Sequence, residues 1–288
     1  MRVTPVTASF GVEVDDIDLR NGLSAEQAAD LYELIMDRAV LLFRDQPLSS
    51  EAHLALGEAF GPLAPKHPFY PTPDGFENIM IIRNDKDNPP ESEKWHTDLS
   101  CDANPPFVSL LQSKIIPDAG GDTLFCDMRA VHDALSEPLR EMLSGLTAEH
   151  RMDKGFDYLR DIGHHDRADM LITDAIRNRT AHHPVIKQHP STGRPFVYVN
   201  EAFTARILGL TKAESTALLG LIFDLIDQPR HQLRIRWKPD MLAVWDNWQT
   251  QHLATGDHYP KEREMRRVTV IADKRSQPFT QPQQAAAE

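Results

Sequence analysis

The segment Trp95-His96-Thr97-Asp98 sets two metal-competent side chains two positions apart. On a strand, residues two apart point to one face, so His96 and Asp98 project together while Trp95, Thr97 and Leu99 face the other way. On a helix the same pair would diverge by about 200°. A strand over 95–99 is therefore the setting in which this spacing makes a ligand pair. One imidazole from a distant segment would complete a face of two histidines and one carboxylate, which leaves open positions and suits ferrous iron that must activate oxygen. His252 is the candidate, closing the run Trp245-Asp246-Asn247-Trp248-Gln249-Thr250-Gln251-His252 just after an apolar strand. The same trio with an open position also suits zinc and an activated water. His-x-Asp alone can equally be a solvated or hydrogen-bonded pair.

Two further signals accompany it. Arg263 lies 11 positions after His252 and Arg267 lies 15 after it, at the start of Arg267-Val268-Thr269-Val270-Ile271. A guanidinium at the inner mouth of a barrel holds a carboxylate through two parallel hydrogen bonds. By itself, Lys261-Glu262-Arg263-Glu264 reads equally as a mixed, solvated run. Gly120-Gly121-Asp122-Thr123 offers a tight turn from which Thr123 opens a strand with its hydroxyl available, or simply a hairpin turn. The adjacent pairs His164-His165 and His182-His183 would face opposite ways on a strand and make no shared metal site. His150, His189, His231 and His258 read as surface or hydrogen-bonded residues, and Trp95, Trp237 and Trp245 as core.

These residues need a β-rich frame. Ser24 with Gln27 forms a capping box for a first helix carrying Leu31, Leu34 and Ile35 at helical spacing. Ala39-Val40-Leu41-Leu42-Phe43 reads as a buried strand, and Ser49 or Ser50 caps a second helix ending at Gly61. Strands are predicted over 78–83, 95–99, 107–116, 123–126, 185–188, 196–199, 235–238, 241–245 and 266–272. Ser191-Thr192-Gly193 turns a hairpin. Thr211 with Glu214 opens a helix through about Ile226. The polar, proline-broken stretch 84–94 is a loop placed to act as a lid. Many short strands with flanking helices point to a double-sheet jelly roll rather than an alternating βαβ fold. No linker divides residues 1–275, and the Gln/Ala-rich tail 276–288 has little to bury and is expected to be disordered.

Composition narrows the class. With 288 residues the chain can bury a full core without disulfides or structural metal. A net charge of −12 disfavours a nucleic-acid partner. The longest near-apolar stretch, 218–226, contains Asp224 and falls far short of the roughly 20 residues that span a bilayer. No secretory signal is readable at the N-terminus. Two cysteines, Cys101 and Cys126, lack CxxC spacing and fit a reducing cytoplasm.

Taken together, His-x-Asp, Gly-Gly-Asp-Thr and a late histidine followed by Arg263 stop being independent. Their order resembles the taurine dioxygenase family of Fe(II)/2-oxoglutarate-dependent oxygenases, which includes the aryloxyacetate-degrading enzymes. The resemblance extends through Val12–Leu19, Leu42-Phe43-Arg44-Asp45-Gln46-Pro47-Leu48, Phe60-Gly61-Pro62-Leu63 and Trp245-Asp246-Asn247 to Arg267-Val268-Thr269. It implies a double-stranded β-helix with His96, Asp98 and His252 as ligands of Fe(II), which with O2 and 2-oxoglutarate performs the catalysis. Arg263 and Thr123 would hold the distal carboxylate of 2-oxoglutarate. A sulfonate would be held by His67, in His67-Pro68-Phe69-Tyr70, and by Arg267, with Tyr70, Ser92 and Phe156 lining the pocket. The resemblance also implies a homo-oligomer, dimer or tetramer.

The chain departs from the taurine members at three places. Ser92 stands where they carry asparagine, Cys101 where they carry an aromatic, and Trp248 follows Trp-Asp-Asn where many relatives have arginine. Metal and cosubstrate residues are untouched; pocket polarity and width are not. The implied function is hydroxylation of taurine or a related sulfonate, with release of sulfite and an aldehyde. Aryloxyalkanoates and alkyl sulfates are the alternatives within the family. A zinc hydrolase and a non-catalytic jelly-roll binding module are the alternatives outside it.

Overall fold

The computed structural model describes residues 1–68, 70–90, 93–161, 163, 169 and 173–275. The expected disorder of 276–288, the His164-His165 pair and Ser92 lie outside the described residues.

In chain order the strands begin with β1 (Arg2–Pro5), β2 (Val12–Asp15), β3 (Val40–Phe43), β4 (Ile79–Asn84) and β5 (Val108–Ile115). They continue with β6 (Thr123–Asp127), β7 (Thr147–Arg151), β8 (Thr180–Pro184), β9 (Ile186–Gln188) and β10 (Pro195–Val197). The last are β11 (Thr204–Ile207), β12 (Gln232–Ile235), β13 (Leu242–Asp246), β14 (Thr250–Ala254) and β15 (Arg263–Val270). Helices α1 (Ala25–Arg38) and α2 (Ser50–Glu58) precede β4; α3 (Met128–Ala134) and α4 (Glu137–Ser144) follow β6. The short α5 (Asp157–Asp161) and α6 (Asp174–Arg177) lead to β8, and α7 (Lys212–Ile226) precedes β12. The chain is mainly β with flanking helices, as expected.

Seven strands form one sheet in the order β1-β2-β3-β13-β5-β15-β4, and β12-β6-β14 form a second. Period-two alternation divides the core between the faces of the large sheet. Leu41, Phe43, Leu242 and Val244 join one apolar cluster with Leu31 and Ile35 of α1. Val40, Leu42, Ala243 and Trp245 join the other with Phe125, Leu233 and Ile235 of the small sheet. Because successive side chains leave a strand on opposite faces, an unbroken run such as Val40-Leu41-Leu42-Phe43 is what a strand covered on both sides requires.

The capping boxes at Ser24/Gln27 and Thr211/Glu214 are both formed. Ser49 caps α2, which stops at Glu58, short of Gly61. The predicted hairpin pairs β9 with β10, Gln188 opposite Pro195. Strands β7, β8 and β11 form a further sheet that the sequence does not announce, because histidine fills inward positions where an apolar residue would signal alternation. His150, His189, His231 and His258 are all buried rather than at the surface. The first three are hydrogen-bonded, to Ser100 Oγ at 3.0 Å, an Asp246 carboxylate oxygen at 2.9 Å and the Leu225 carbonyl at 2.7 Å. In the other pair, His182 is exposed and His183 buried, the opposite facing that strand alternation demands.

Two strand expectations are corrected. The strand expected over 235–238 ends at Ile235, as β12 (Gln232–Ile235). Residues 95–99 are not a strand. His96 makes a single bridge to His252, and the backbone then turns through Asp98, with Leu99 at φ +51° and the Asp102 N–H closing on the Leu99 carbonyl at 2.9 Å. The ladder ends there because the Asp98 N–H donates to Asn247 Oδ1 at 2.9 Å instead of to a neighbouring strand.

Candidate metal centre

His252 sits in the middle of β14, opposite Phe125 of β6, with Thr123 opposite Ala254. Directly paired residues share a face, so Thr123, Phe125 and His252 project to the same side of the small sheet. Across from them, the alternation of β15 turns Arg263, Met265 and Arg267 inward together. His96 and Asp98 arrive from the bridge and the turn that follows it.

The three ligand candidates converge. One donor atom from each of His96, Asp98 and His252 lies within 4.8 Å of the others, and both imidazole Nε2 atoms are 3.8 Å from Asp98 Oδ1. The His96 ring is aimed from behind, with Nδ1 2.9 Å from the Lys94 carbonyl. That bond places the proton on Nδ1 and leaves the Nε2 lone pair facing the centre. The His252 ring is held by packing against Trp245 at 5.0 Å and His96 at 4.1 Å between centroids.

Electrostatics keeps the donors in the forms a cation needs. Burial holds His96 below, and His252 well below, the ordinary histidine range, so both rings are neutral. Burial works to raise the Asp98 pKa, but the Arg267 charge, the two imidazoles and the Arg267 hydrogen bond outweigh it and hold it at about 2. Two neutral imidazoles and one carboxylate fit a divalent iron.

Asp98 is fixed on every side. Its Oδ2 accepts from Arg267 Nη2 and, at 3.3 Å, from the Ser109 hydroxyl. Its carbonyl accepts from Asn247 Nδ2 at 3.2 Å, and the same amide donates to the Pro106 carbonyl at 2.9 Å. The adjoining Asp246 is wholly buried and accepts from the Trp248 N–H, Gln249 Nε2 and His189. Trp245-Asp246-Asn247 is thus the clamp that carries the turn at Asp98. The sequence presents the motif without assigning it this role.

Arg263 is buried, against the solvated reading of its mixed-charge run. Its Nε donates to the Gly121 carbonyl at 3.1 Å, and its Nη2 has no partner among the described residues. Burial lowers its pKa to about 10 against the opposing pull of Asp122. Gly121 sits at φ +72°, and a Cβ there would stand 2.9 Å from Arg263 Cδ, so the second glycine is required by both conformation and space. Thr123 is buried and its hydroxyl accepts from Trp237 Nε1 at 2.9 Å.

The rings of His67 and Tyr70 pack at 4.8 Å, and Phe156 closes a half-buried turn at 153–156. Arg267 reaches the centre, but as the partner of Asp98. Phe203, which the sequence does not single out, stands edge-on to His96 at 6.2 Å between centroids. It is held there as the Trp95 carbonyl accepts from the Ala202 N–H at 3.2 Å.

Residues 2–269 match the family described as "Taurine catabolism dioxygenase TauD, TfdA family". The chain is similar to an alpha-ketoglutarate-dependent 2,4-dichlorophenoxyacetate dioxygenase of Cupriavidus pinatubonensis, 30% identical over 287 residues, which cover 93% of this chain and 97% of that protein. It is similar to an alpha-ketoglutarate-dependent sulfonate dioxygenase of Saccharomyces cerevisiae, 30% identical over 292 residues covering 95% of this chain. It spans about two thirds of its yeast relatives' length, 68% of that protein and 66% of a Schizosaccharomyces pombe one. Among solved structures, a taurine dioxygenase from Burkholderia xenovorans superposes with a TM-score of 0.80 at 29% identity, covering 96% of this chain and 92% of the other. No helix among the described residues is long and apolar enough to cross a membrane.

Proposed function

We propose an activity from the premise that the chain belongs to the taurine catabolism dioxygenase TauD, TfdA family and is an alpha-ketoglutarate-dependent (2-oxoglutarate-dependent) dioxygenase. The fold is read as a double-stranded β-helix, with His96, Asp98 and His252 holding Fe(II) at one end. The reaction is hydroxylation of a small anionic substrate, with taurine or a related sulfonate as the leading class. The observation that carries this reading is the meeting of three donor atoms within 4.8 Å, together with a buried arginine, Arg263, whose Nη2 has no partner among the described residues.

Bound at that face, iron supplies the chemistry that couples oxidative decarboxylation of 2-oxoglutarate, to succinate and carbon dioxide, with insertion of the other oxygen atom of O2 into a C–H bond. The chain's own residues position the reactants. Arg263 takes the distal carboxylate of 2-oxoglutarate, and Thr123, already an acceptor for Trp237, still has its hydroxyl proton to donate to the same group. Arg267 and His67 hold the anionic head of the substrate, with Tyr70 and Phe156 beside it. Arg267 gives Nη2 to Asp98 while its buried Nε has no partner among the described residues, so a donor remains for the substrate anion. Anchoring the anion decides which carbon faces the iron. With a sulfonate that carbon bears sulfur, and its hydroxylated product separates into sulfite and an aldehyde.

An aryloxyalkanoate substrate is the second reading. It is supported by the aromatic ring of Phe203 beside His96 and by alignment over 97% of the 2,4-dichlorophenoxyacetate enzyme. The free, buried thiols of Cys101 and Cys126 agree with work in a reducing cytoplasm. The deciding experiment is a panel of taurine, alkylsulfonates, alkyl sulfates and aryloxyacetates, scored for substrate-stimulated succinate formation with Fe(II). Sulfite release with taurine or an alkylsulfonate supports the leading reading. Stimulation by aryloxyacetates alone replaces it with the second. A zinc hydrolase would need no carboxylate site at Arg263 and would form no succinate.

A further inference from the structure

His258 is buried, and neither of its ring nitrogens makes a well-formed hydrogen bond among the described residues, although the Thr255 carbonyl lies close enough to favour the protonated ring. Buried polar atoms are nearly always satisfied, and an unpaired one costs free energy unless a ligand or water completes it. The place of this residue says what completes it. A Cβ built on Gly121 would have Arg263 Cδ, Arg263 Nε and His258 Nδ1 as its nearest neighbours, at 2.9, 3.1 and 3.3 Å. Nδ1 of His258 and the guanidinium of Arg263 therefore flank the same small space over Gly121. Buried His258 Nδ1 and Arg263 Nη2 both lack a hydrogen-bond partner among the described residues, and their side chains meet beside Gly121.

We propose that His258 is a further binding residue for 2-oxoglutarate, donating an N–H to the distal carboxylate that Arg263 takes as an ion pair. This rests on the assignment of Arg263 to the cosubstrate and adds a second donor to it. A carboxylate offers two oxygens and about four acceptor positions, more than one guanidinium edge and one hydroxyl fill. The imidazole does not need to be charged for this. Burial and the Arg263 charge lower its pKa, while the Thr255 carbonyl and the carboxylates of Asp257 and Glu93 raise it, leaving it below the ordinary histidine value. A neutral ring carries one N–H, and a hydrogen bond to an ionised acceptor is the stronger kind. The position is well supported: the chain turns at 256–259, where the Tyr259 N–H donates to the Gly256 carbonyl at 3.0 Å, and the Gly121 N–H donates to Asp257 at 2.8 Å.

The test compares two keto acids on the Mn(II)-loaded protein by calorimetry: 2-oxoglutarate, which has the distal carboxylate, and pyruvate, which lacks it. His258→Phe fills the space without a donor and is expected to weaken 2-oxoglutarate about tenfold while leaving pyruvate unchanged. His258→Asn keeps a donor and should recover part of the loss, which a purely packing role would not allow; it also serves if the phenylalanine variant does not fold. Arg263→Gln is the control for the site itself. Loss of 2-oxoglutarate affinity in Arg263→Gln but not in either His258 variant overturns the role of His258 and leaves the Arg263 site standing. No loss in any variant overturns both. Equal weakening of pyruvate and 2-oxoglutarate by His258→Phe also overturns the proposal, since the histidine would then act on something other than the distal carboxylate.

Discussion

His96 and His252, far apart in the chain, form one isolated antiparallel rung. The His96 N–H donates to the His252 carbonyl at 3.1 Å, and the His252 N–H donates to the His96 carbonyl at 2.9 Å. The rung ties the two imidazoles by their backbones before any metal is present. A slip of one residue in either segment would turn one ring to the opposite face. Pre-arrangement of this kind keeps the metal from having to order the loop that carries Asp98.

Removal of the carboxylate should therefore leave a folded protein that no longer holds iron. Asp98→Ala is expected to abolish Fe(II)-dependent succinate formation, and metal titration should show the affinity falling by orders of magnitude. Retained succinate formation would remove Asp98 from the ligand set.

Asn247 is expected to matter as much to the metal as to the fold. Asn247→Ala deletes the amide that bonds the Asp98 N–H, the Asp98 carbonyl and the Pro106 carbonyl. Loss of about 1–3 kcal/mol of stability is expected for the unsatisfied buried groups, with a 10- to 100-fold loss of metal affinity as Asp98 is freed. Urea unfolding and Mn(II) titration on the same variant read the two effects separately.

Arg267→Ala should raise substrate KM about 10- to 100-fold, from the loss of roughly 1.5–3 kcal/mol for a hydrogen bond to a charged group. The affinity for 2-oxoglutarate should change less. Because Arg267 Nη2 also pairs with Asp98, metal affinity should weaken as well. An equal loss for 2-oxoglutarate would show that the two arginines do not divide their labour in this way.

Gly121→Ala tests the space beneath Arg263. The added methyl meets Arg263 Cδ at 2.9 Å, and the backbone at φ +72° resists any L side chain. A cost of about 1–3 kcal/mol in stability and a raised KM for 2-oxoglutarate are expected, with Fe(II) affinity little changed.

Stability should fall as pH drops from about 6.5 toward 3. Burial pushes His53 and His183 down to about 3 in the folded chain, with the Lys187 charge adding to the effect at His183. The unfolded chain takes protons on these rings near pH 6.5, where the folded chain refuses them. Each histidine's contribution is therefore fully present above pH 6.5 and is lost as pH falls to the folded value, up to about 5 kcal/mol apiece. His53→Leu should flatten the decline measured by urea unfolding between pH 4 and 7; an unchanged slope would show that His53 is not a source of it.

Much of the frame was legible in short-range patterns. Val40-Leu41-Leu42-Phe43 is apolar at every position because both faces of β3 are covered, and Ser24/Gln27 and Thr211/Glu214 cap their helices with bonds made three residues away. The strand β15 placed Arg263 and Arg267 on one face because four residues is an even number. The features not legible locally have the opposite character. Strand β7 hides its alternation behind His150, a polar ring made acceptable inside by Ser100. Phe203 and Asn247 act across the fold on His96 and Asp98, and no local spacing marks such partners.

Residue types and order alone determined the chemistry on offer: two imidazoles and a carboxylate for a divalent cation, a late arginine for a carboxylate, and strands enough to carry them. Only the tertiary structure decided how they meet. The geometry of His96 and Asp98 comes from a bridge and a turn rather than a strand, Arg267 spends one of its donors on Asp98, and His258 is drawn in beside Arg263. The reason is physical: hydrophobic periodicity is written into neighbouring residues, whereas the partner of a buried polar atom is whichever group the folded chain brings within hydrogen-bond reach.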